Sequence, residues 1–377
     1  MAALALAGWH GAAVAQNRST PARETPRFAV DPSWPKIPNG WVLGQVSSAA
    51  TDERDHVWVL HRPRVVRPGL KTGPPVMEFD APGNFIQGWG GAAQGYDWPA
   101  TEHGIYVDYK GYVWICGSGD DDQVLKFTKA GKFVMQIGRK GRKKTNRDTE
   151  SFWKPTEMAV YPKTNEVFVA DGYGNKRIIV FDADTGAYKR MWGAFGNVPQ
   201  DGPSGGEASG GPAQPESARI PAKEIDPKDP GPPQFDTVHD VKVSNDGFVY
   251  VSDRGGKRVQ VFTIDGKFVA QTFIDRWCEA PHCGNGQTAA SAALFSTDPA
   301  QRFLYVASRS PERIWVLDRK TLQPIDSFGR PGVAPGEFYV LHHLVADSKG
   351  NLYASEVEDG RRIQKFVLQG TSPAPAK

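Results

Sequence analysis

The chain has 377 residues with 45 basic and 42 acidic side chains, a formal net charge of +3, so its overall charge gives no field that would favour nucleic acid or an anionic membrane surface. Its 41 glycines and 30 prolines follow no collagen-like period. This composition indicates many short strands joined by turns and leaves little room for long helices.

The N-terminal segment is small and apolar. Residues 2–14 read AALALAGWHGAAV, and Ala15-Gln16 completes a small-residue pattern typical of a signal-peptide cleavage site. The basic residues that usually precede such a segment are missing. We predict export to a periplasm or beyond, with residues 1–15 as a signal peptide and 16–26 as a linker; an unstructured cytoplasmic N-terminus is the alternative. No run reaches the roughly 18 apolar residues of a membrane-spanning helix.

A repeating hairpin organises the rest of the chain. In EHGIYVDYKGYVWICG, which begins at Glu102, two runs of alternating apolar residues flank Lys110-Gly111, the pattern of a tight antiparallel hairpin. Such hairpins begin near six positions, at intervals of 56, 53, 83, 52 and 51 residues: Ser47, His103, Thr156, His239, Ser291 and His342. The long interval contains an insert rich in Gly, Pro and Ser, residues 197–234.

Each hairpin is followed by a third and usually a fourth strand pattern, without an intervening helix. Six such units predict an all-β, six-bladed β-propeller over residues 27–370, followed by a tail at 371–377. The last unit ends after RRIQKFVLQG and lacks a fourth strand. The segment RFAV, Arg27 to Val30, can supply that strand, so the N-terminus would close the ring and remove exposed strand edges.

Three local features have less specific interpretations. Cys278 and Cys283 share a short loop and could form a disulfide in an exported protein, whereas a metal site with His282 would lack a fourth nearby ligand. Cys116 lies within a predicted strand and is expected to be a buried thiol. The run RKGRKK, residues 139–144, is interpreted as a solvated loop tip.

The first positions of the hairpins hold the candidate metal ligands. His103, His239 and His342 open the first strands of blades two, four and six, while Ser or Thr holds the same position in the other blades. Because alternate blades of six stand about 120° apart, the three imidazoles should converge on the axis with one position open, as in a catalytic zinc site. The alternative is that each histidine only bonds to a neighbouring blade. His343 is expected to point away by strand alternation.

The ends of the second strands should share that face of the propeller. Equivalent positions there hold Arg62, Arg254 and Arg309, and the corresponding turn of blade three holds Tyr173. A guanidinium binds a carboxylate through two parallel hydrogen bonds, so these arginines favour a substrate with a carboxylate. A tyrosine beside a metal could act as base or acid. As an alternative, the arginines pair with nearby carboxylates on the surface.

With these motifs the chain resembles the NHL-repeat propellers and, among them, the peptidyl-α-hydroxyglycine α-amidating lyases, over about Val46 to Phe366. The matching segments are HRPR, EHGIYVD, VHDVKV, LHHLVAD, PTEMAVYPKTNEVFVADGYGNKRI and SDRGGKRVQVF. The resemblance implies a zinc ion on the three histidines, Tyr173 as a catalytic residue, and Arg62 and Arg254 as substrate-binding arginines. Where the family has Met-Pro-His-Asp, this chain has Val-Leu-His-His ending at His343, which argues against the calcium associated with that aspartate.

The resemblance also implies a reaction. A carbinolamide, with hydroxyl and amide nitrogen on one carbon, would be cleaved to an amide and glyoxylate. The substrate would be a small molecule or peptide bearing a carboxylate. Two alternatives remain: a calcium-dependent lactonase or similar hydrolase, which would use carboxylate and asparagine ligands, and a non-enzymatic propeller that binds a protein or glycan. No segment indicates an oligomer interface.

Overall fold

The computed structural model describes residues 24–141, 145–201, 226, 228–277 and 288–374. The predicted signal peptide, most of the insert, and Cys278 and Cys283 with the proposed disulfide lie outside these residues. Within them the chain forms six four-stranded antiparallel sheets. None of the described segments forms a helix with the length and apolarity needed to cross a bilayer.

The first three sheets, blades one to three, follow chain order from the inner strand outward. Their strands are β2 (Gln45–Thr51), β3 (Val57–Arg62), β4 (Val76–Phe79) and β5 (Phe85–Trp89); β6 (Glu102–Val107), β7 (Tyr112–Gly117), β8 (Gln123–Thr128) and β9 (Phe133–Gly138); and β10 (Pro155–Tyr161), β11 (Glu166–Asp171), β12 (Arg177–Asp182) and β13 (Tyr188–Trp192). Short 3₁₀ turns occupy Pro63–Val65 and Ala194–Gly196.

Blades four to six repeat this arrangement. Their strands are β14 (Val238–Val243), β15 (Phe248–Asp253), β16 (Arg258–Thr263) and β17 (Phe268–Phe273); β18 (Ala292–Phe295), β19 (Phe303–Ser308), β20 (Arg313–Asp318) and β21 (Pro324–Phe328); and β22 (Leu341–Ala346), β23 (Leu352–Glu356), β24 (Arg362–Pro373) and β1 (Glu24–Asp31). The first strands of neighbouring blades contact one another around a central channel. The predicted six-bladed propeller is therefore confirmed.

The N-terminal strand closes the ring. β1 pairs antiparallel with β24, so that Phe28 lies opposite Leu368 and Val30 lies opposite Phe366. The prediction that the RFAV segment supplies the missing fourth strand is confirmed, and the strand is longer than predicted at both ends. Because chain start and chain end share one sheet, the last blade has the same four strands as the others.

The hydrophobic core lies between the blades. Six clusters of buried side chains each draw on two neighbouring blades; one of them packs Trp58 and Leu60 of blade one against Ile105 and Val113 of blade two. Cys116 belongs to such a cluster as a buried thiol, as predicted. Alternating apolar residues produce this pattern because both faces of every inner strand pair must be covered by adjacent blades.

A β-bulge marks the predicted site position in five blades. The register of the first strand against the second shifts at Ser47, His103, Thr156, His239 and His342. A bulge sets two residues of one strand against one residue of its partner and turns their side chains away from simple alternation. Consecutive residues can therefore both reach the channel.

Buried acid–arginine pairs hold the segments that lead into these bulges. In blade four, Oδ2 of Asp253 lies 2.9 Å from Nε of Arg258, and Oδ1 accepts the backbone N–H groups of Asp236 and Thr237 at 2.9 and 3.1 Å. Thr237 is two residues ahead of His239. Asp171 and Arg177 form a corresponding pair in blade three. These pairs hold the segments that precede the first strands of blades three and four.

Candidate metal centre

Three histidines meet in the channel. His103, His239 and His342 are all buried, and their ring centroids are 4.6 to 4.9 Å apart. One ring nitrogen from each lies within 4.8 Å of the others. The structure thus brings together the three side chains that their common register predicted.

Each imidazole is anchored through its Nδ1 atom to the next blade. Nδ1 lies 2.7 Å from the carbonyl oxygen of Thr156 for His103, 2.6 Å from that of Ser291 for His239, and 2.6 Å from that of Ser47 for His342. A carbonyl can only accept, so each Nδ1 carries the proton and each Nε2 keeps its lone pair. Backbone carbonyls that fix the tautomer in this way are typical of histidine ligands to metals.

The electrostatic surroundings keep the histidines neutral. Burial lowers the pKa of all three well below the usual value. The guanidinium of Arg62 is the next largest influence on the pKa of His103, and that of Arg254 is the next largest on His239. Neutral imidazole is the protonation state that binds a metal ion.

These residues fit zinc. Nε2 of His239 is buried and has no hydrogen-bond partner among the described residues, which is costly unless something else binds that nitrogen. A three-histidine set with a remaining open position is a common form of catalytic zinc site. His103, His239 and His342 would hold such an ion through the nitrogens opposite their carbonyl contacts.

Tyr173 and Arg254 lie beside the histidines. The hydroxyl oxygen of Tyr173 is 3.2 Å from Nε2 of His103, and its ring centroid is 5.1 Å from that of His103 and 5.7 Å from that of His239. The guanidinium carbon of Arg254 is 5.2 Å from the Tyr173 ring centroid. The turn of blade three therefore delivers its phenol to the same place as the imidazoles.

Arg62 is buried at the end of β3 and held on two sides. Its Nε donates to the carbonyl oxygen of Glu102 at 2.8 Å, and its Nη1 donates to Oε1 of Gln45 at 2.6 Å. Burial lowers its pKa, although an arginine still remains charged near neutrality. These contacts fix a positive charge close enough to His103 to lower the pKa of its imidazole.

Arg309 has a different environment. Its charge acts on Glu312, whose carboxylate accepts the backbone N–H groups of Val340 and Leu341 at 3.0 and 2.8 Å. Burial raises the pKa of Glu312 to about 7, and the two N–H groups and Arg309 oppose that rise. The structure thus brings Arg62, Arg254 and Tyr173 close to the histidines, whereas Arg309 lies near Glu312, whose carboxylate contacts the backbone at the start of β22.

A second polar layer lies one residue further along the inner strands, and sequence reasoning missed it. Nε2 of His343 is 3.0 Å from Oε2 of Glu157, and the hydroxyl of Ser48 contacts both side chains at 2.8 and 3.2 Å. His343 was expected to point away from its neighbour His342 by regular strand alternation, but the bulge at His342 breaks that alternation. His343 lies with Glu157 and Asp240 in a group separate from the three histidines, so it stays outside the predicted ligand set. Ser48, Glu157 and His343 each directly follow a bulge position, and nothing in the sequence marks a bulge.

Protein cations occupy this second layer. Nζ of Lys242 donates to Oδ1 of Asp240 at 2.5 Å and lies 3.3 Å from Nε2 of His343. Burial lowers the pKa of His343 and the Glu157 carboxylate raises it, and the net effect is a rise. Calcium takes six to eight oxygen ligands, so a layer that contains an ammonium group and an imidazole among its carboxylates does not fit it.

Comparisons with known proteins agree with the repeat and with the resemblance. An NHL repeat is matched at residues 235–262. NHL repeat-containing protein 3 of Homo sapiens is 25% identical over 354 residues, which cover 90% of this chain and 84% of that protein. Peptidylglycine alpha-amidating monooxygenase of Rattus norvegicus is 25% identical over 363 residues, 89% of this chain and 31% of that protein.

A third relative matches a shorter segment at higher identity. A probable peptidyl-alpha-hydroxyglycine alpha-amidating lyase of Caenorhabditis elegans is 43% identical over 82 residues, 22% of each chain. The resemblance predicted from the motifs is confirmed: this chain carries an NHL repeat, and it is distantly similar to NHL repeat proteins and to amidating enzymes.

Proposed function

We propose that this protein is a zinc-dependent lyase that cleaves a carbinolamide of the α-hydroxyglycine type into an amide and glyoxylate. The observation that carries the proposal is the group of three neutral imidazoles with Tyr173 3.2 Å from one of them. The similarity to proteins named as amidating lyases supports it.

The metal would be held by His103, His239 and His342. Bound there, zinc supplies a Lewis acid for the hydroxyl oxygen of the substrate. The carbonyl contacts of the three Nδ1 atoms keep the imidazoles in the ligand tautomer before any metal arrives, which reduces the cost of binding.

Tyr173 moves the proton. In this reaction Tyr173 would start as the phenolate, the form that a neighbouring zinc ion favours. It takes the proton of the substrate hydroxyl, the O–H electron pair becomes the second carbon–oxygen bond of glyoxylate, and the carbon–nitrogen bond breaks with its electron pair on nitrogen. The departing amide nitrogen then takes up one proton, which Tyr173 can return. A positioned acid or base of this kind contributes roughly 10²- to 10⁴-fold to a rate.

The arginines hold the carboxylate. Arg62 is fixed by Glu102 and Gln45, so its guanidinium is oriented before a substrate enters. A charge-assisted, two-pronged contact to the carboxylate would place the neighbouring hydroxyl-bearing carbon at the histidines. Arg254 adds a second positive charge, with its guanidinium carbon 5.2 Å from the Tyr173 ring centroid.

A non-enzymatic binding propeller is the second candidate. It is favoured by the match along nine-tenths of the chain to NHL repeat-containing protein 3, whose name states no activity. A calcium-dependent hydrolase has less support, because the three-histidine group offers no oxygen ligand and the carboxylates of Glu157 and Asp240 are already in contact with His343 and Lys242. We further infer that the protein is exported, because residues 2–16 resemble a signal peptide with its cleavage site. N-terminal sequencing of protein from the periplasmic or extracellular fraction tests this: a mature chain that begins at Gln16 supports export, and protein found only inside the cell contradicts it.

Glyoxylate release tests the proposed function. Purified protein loaded with zinc is incubated with N-acyl-α-hydroxyglycines and with α-hydroxyglycine-extended peptides, and glyoxylate and amide are quantified together. We expect both products in equal amounts and a loss of turnover in His103→Ala. If zinc-loaded parent protein released no glyoxylate from any of these compounds above the His103→Ala background, the lyase proposal would be wrong.

A further inference from the structure

The hydroxyl groups of Thr156 and Ser291 connect blades three and five to the strand that carries the next histidine. Oγ1 of Thr156 lies 2.8 Å from the carbonyl oxygen of Val238, directly ahead of His239, and 2.9 Å from that of Ala170 in its own blade. Oγ of Ser291 has the same two kinds of neighbour, Leu341 ahead of His342 at 3.4 Å and Ala307 at 3.2 Å.

Thr156 and Ser291 are each connected to two of the three histidines. The backbone carbonyl of Thr156 accepts the Nδ1 proton of His103, while its hydroxyl reaches the residue before His239. Ser291 repeats this arrangement between His239 and His342. Each residue therefore contacts one imidazole directly and the strand of the next one through its hydroxyl.

The contacts differ at Ser47, the equivalent residue of blade one. Ser47 accepts from Nδ1 of His342 through its carbonyl, and its hydroxyl lies 3.4 Å from the carbonyl of Leu60 in its own blade. The carbonyl of Glu102, directly ahead of His103, instead receives Nε–H of Arg62 at 2.8 Å. A side-chain donor thus lies within hydrogen-bond distance of the carbonyl before each of the three histidines, at 2.8 Å for His103 and His239 and at 3.4 Å for His342, and each hydroxyl shares its single proton with a carbonyl of its own blade.

We propose that Thr156 and Ser291 are positioning residues that set the spacing of the three imidazoles through their hydroxyl groups. The inference rests on the proposed zinc centre. Each of these histidines sits at a β-bulge, where the ladder is locally disrupted and the strand is less constrained by its own blade. The bond from the neighbouring blade supplies the missing constraint at the residue before the imidazole, so removing the hydroxyl loosens His239 or His342 without touching either side chain.

Zinc affinity of matched variants tests this. Thr156→Val keeps the shape and removes the hydroxyl, and Thr156→Ser keeps the hydroxyl. Thr51→Val is the control, because the Thr51 hydroxyl donates to the carbonyl of Ala346 in the neighbouring blade at 2.8 Å, at the other end of β2. Competition with a chromophoric chelator gives the zinc dissociation constant, the visible spectrum of the cobalt-loaded protein reports the ligand geometry, and thermal unfolding of metal-free protein reports stability.

Loss of a group that orients a ligand typically costs 10- to 100-fold in metal affinity, so we expect Thr156→Val to bind zinc about tenfold more weakly, and Thr156→Ser and Thr51→Val to stay within about twofold of the parent. The cobalt spectrum should change only in Thr156→Val. Equal zinc affinities for Thr156→Val and Thr51→Val would overturn the inference and leave the proposed function intact. A parent protein that binds no zinc would overturn both.

A second variant covers the case in which Thr156→Val does not fold. Ser291→Ala removes the hydroxyl next to Leu341 and leaves no larger side chain to accommodate. Its bonds are longer than those of Thr156, so we expect a smaller loss of zinc affinity, about threefold or more. An unchanged zinc affinity in Ser291→Ala, with folding confirmed by thermal unfolding, would contradict the role assigned to that hydroxyl.

Discussion

The hydroxyl oxygen of Tyr173 lies 3.2 Å from Nε2 of His103, the ring nitrogen opposite the one bonded to Thr156. The phenol thus reaches the nitrogen through which the imidazole would bind a metal. A substrate bound at that metal would have its hydroxyl proton within reach of Tyr173. Proton transfer and metal binding can therefore be tested separately, because the phenol can be removed while all three imidazoles and their carbonyl contacts remain.

Replacing Tyr173 by Phe should lower turnover strongly while leaving metal binding intact. Loss of a positioned acid or base lowers kcat by about 10²-fold or more, and zinc content should stay at the parent level because no ligand is lost. Steady-state glyoxylate assays with metal analysis of the same samples measure both quantities. Tyr109→Phe, at an exposed tyrosine bonded to Asn165, is the control. Parent-like kcat in Tyr173→Phe would contradict the assigned role.

Arg62→Lys should weaken binding of carboxylate substrates selectively. Lysine keeps the charge and loses the planar fork that the contacts to Glu102 and Gln45 hold in place. Charge-assisted hydrogen bonds are worth about 1.5–3 kcal/mol, so KM should rise at least about tenfold. The methyl ester of the same substrate should show little change. Arg330→Lys, at an exposed arginine paired with Glu337, is the control. An equal loss for acid and ester would argue against carboxylate recognition.

Glu312→Gln should remove one component of the pH dependence of stability. Burial raises the pKa of Glu312 from 4.5 to about 7. The folded state therefore binds more protons than the unfolded state between these values, so the stability contributed by Glu312 is present below pH 4.5 and lost as the pH rises through about 7. Urea unfolding of metal-free parent and variant measures this. The free energy of unfolding of the parent minus that of the variant should fall across this interval; a difference that rises would contradict the account.

Asp253→Asn should be strongly destabilising. The substitution removes the carboxylate that pairs with Arg258, and both side chains are fully buried. Breaking a buried pair from one side costs about 3–5 kcal/mol because the other charge remains without its partner. Asp359→Asn, in the exposed pair with Arg361, should cost less than about 1 kcal/mol. Denaturant unfolding gives the free energy of unfolding of each variant. Similar small losses in both would refute the role of the Asp253–Arg258 pair in holding the segment ahead of His239.

The fold and the three-histidine group could be predicted from the sequence because both depend on a repeating period. Alternation of apolar residues defined the strands, and the shared register placed His103, His239 and His342 at equivalent points of alternate blades. The closing strand from Arg27 to Val30 followed from the missing strand of the last unit.

The second polar layer could not be predicted, because it depends on a local backbone irregularity. Strand alternation sends His342 and His343 to opposite faces, but the bulge brings His343 to Glu157 within the channel. The contacts of Arg62 with Glu102 and of Thr156 with Val238 cross between blades, and the sequence contains no local signal for them. Periodicity therefore identified which residues meet, whereas the orientation of each side chain required the packed structure.

Metal content is the most direct test of the three-histidine centre. The parent, His239→Ala and His56→Asn proteins are exposed to zinc, freed of excess metal and analysed by elemental mass spectrometry; His56 belongs to a separate group with Asp52 and Glu78. We expect about one zinc per chain in the parent and in His56→Asn and a clear loss in His239→Ala, as for an ion held by three histidines. A parent that remains metal-free, or a His239→Ala protein that keeps its zinc, would contradict the account.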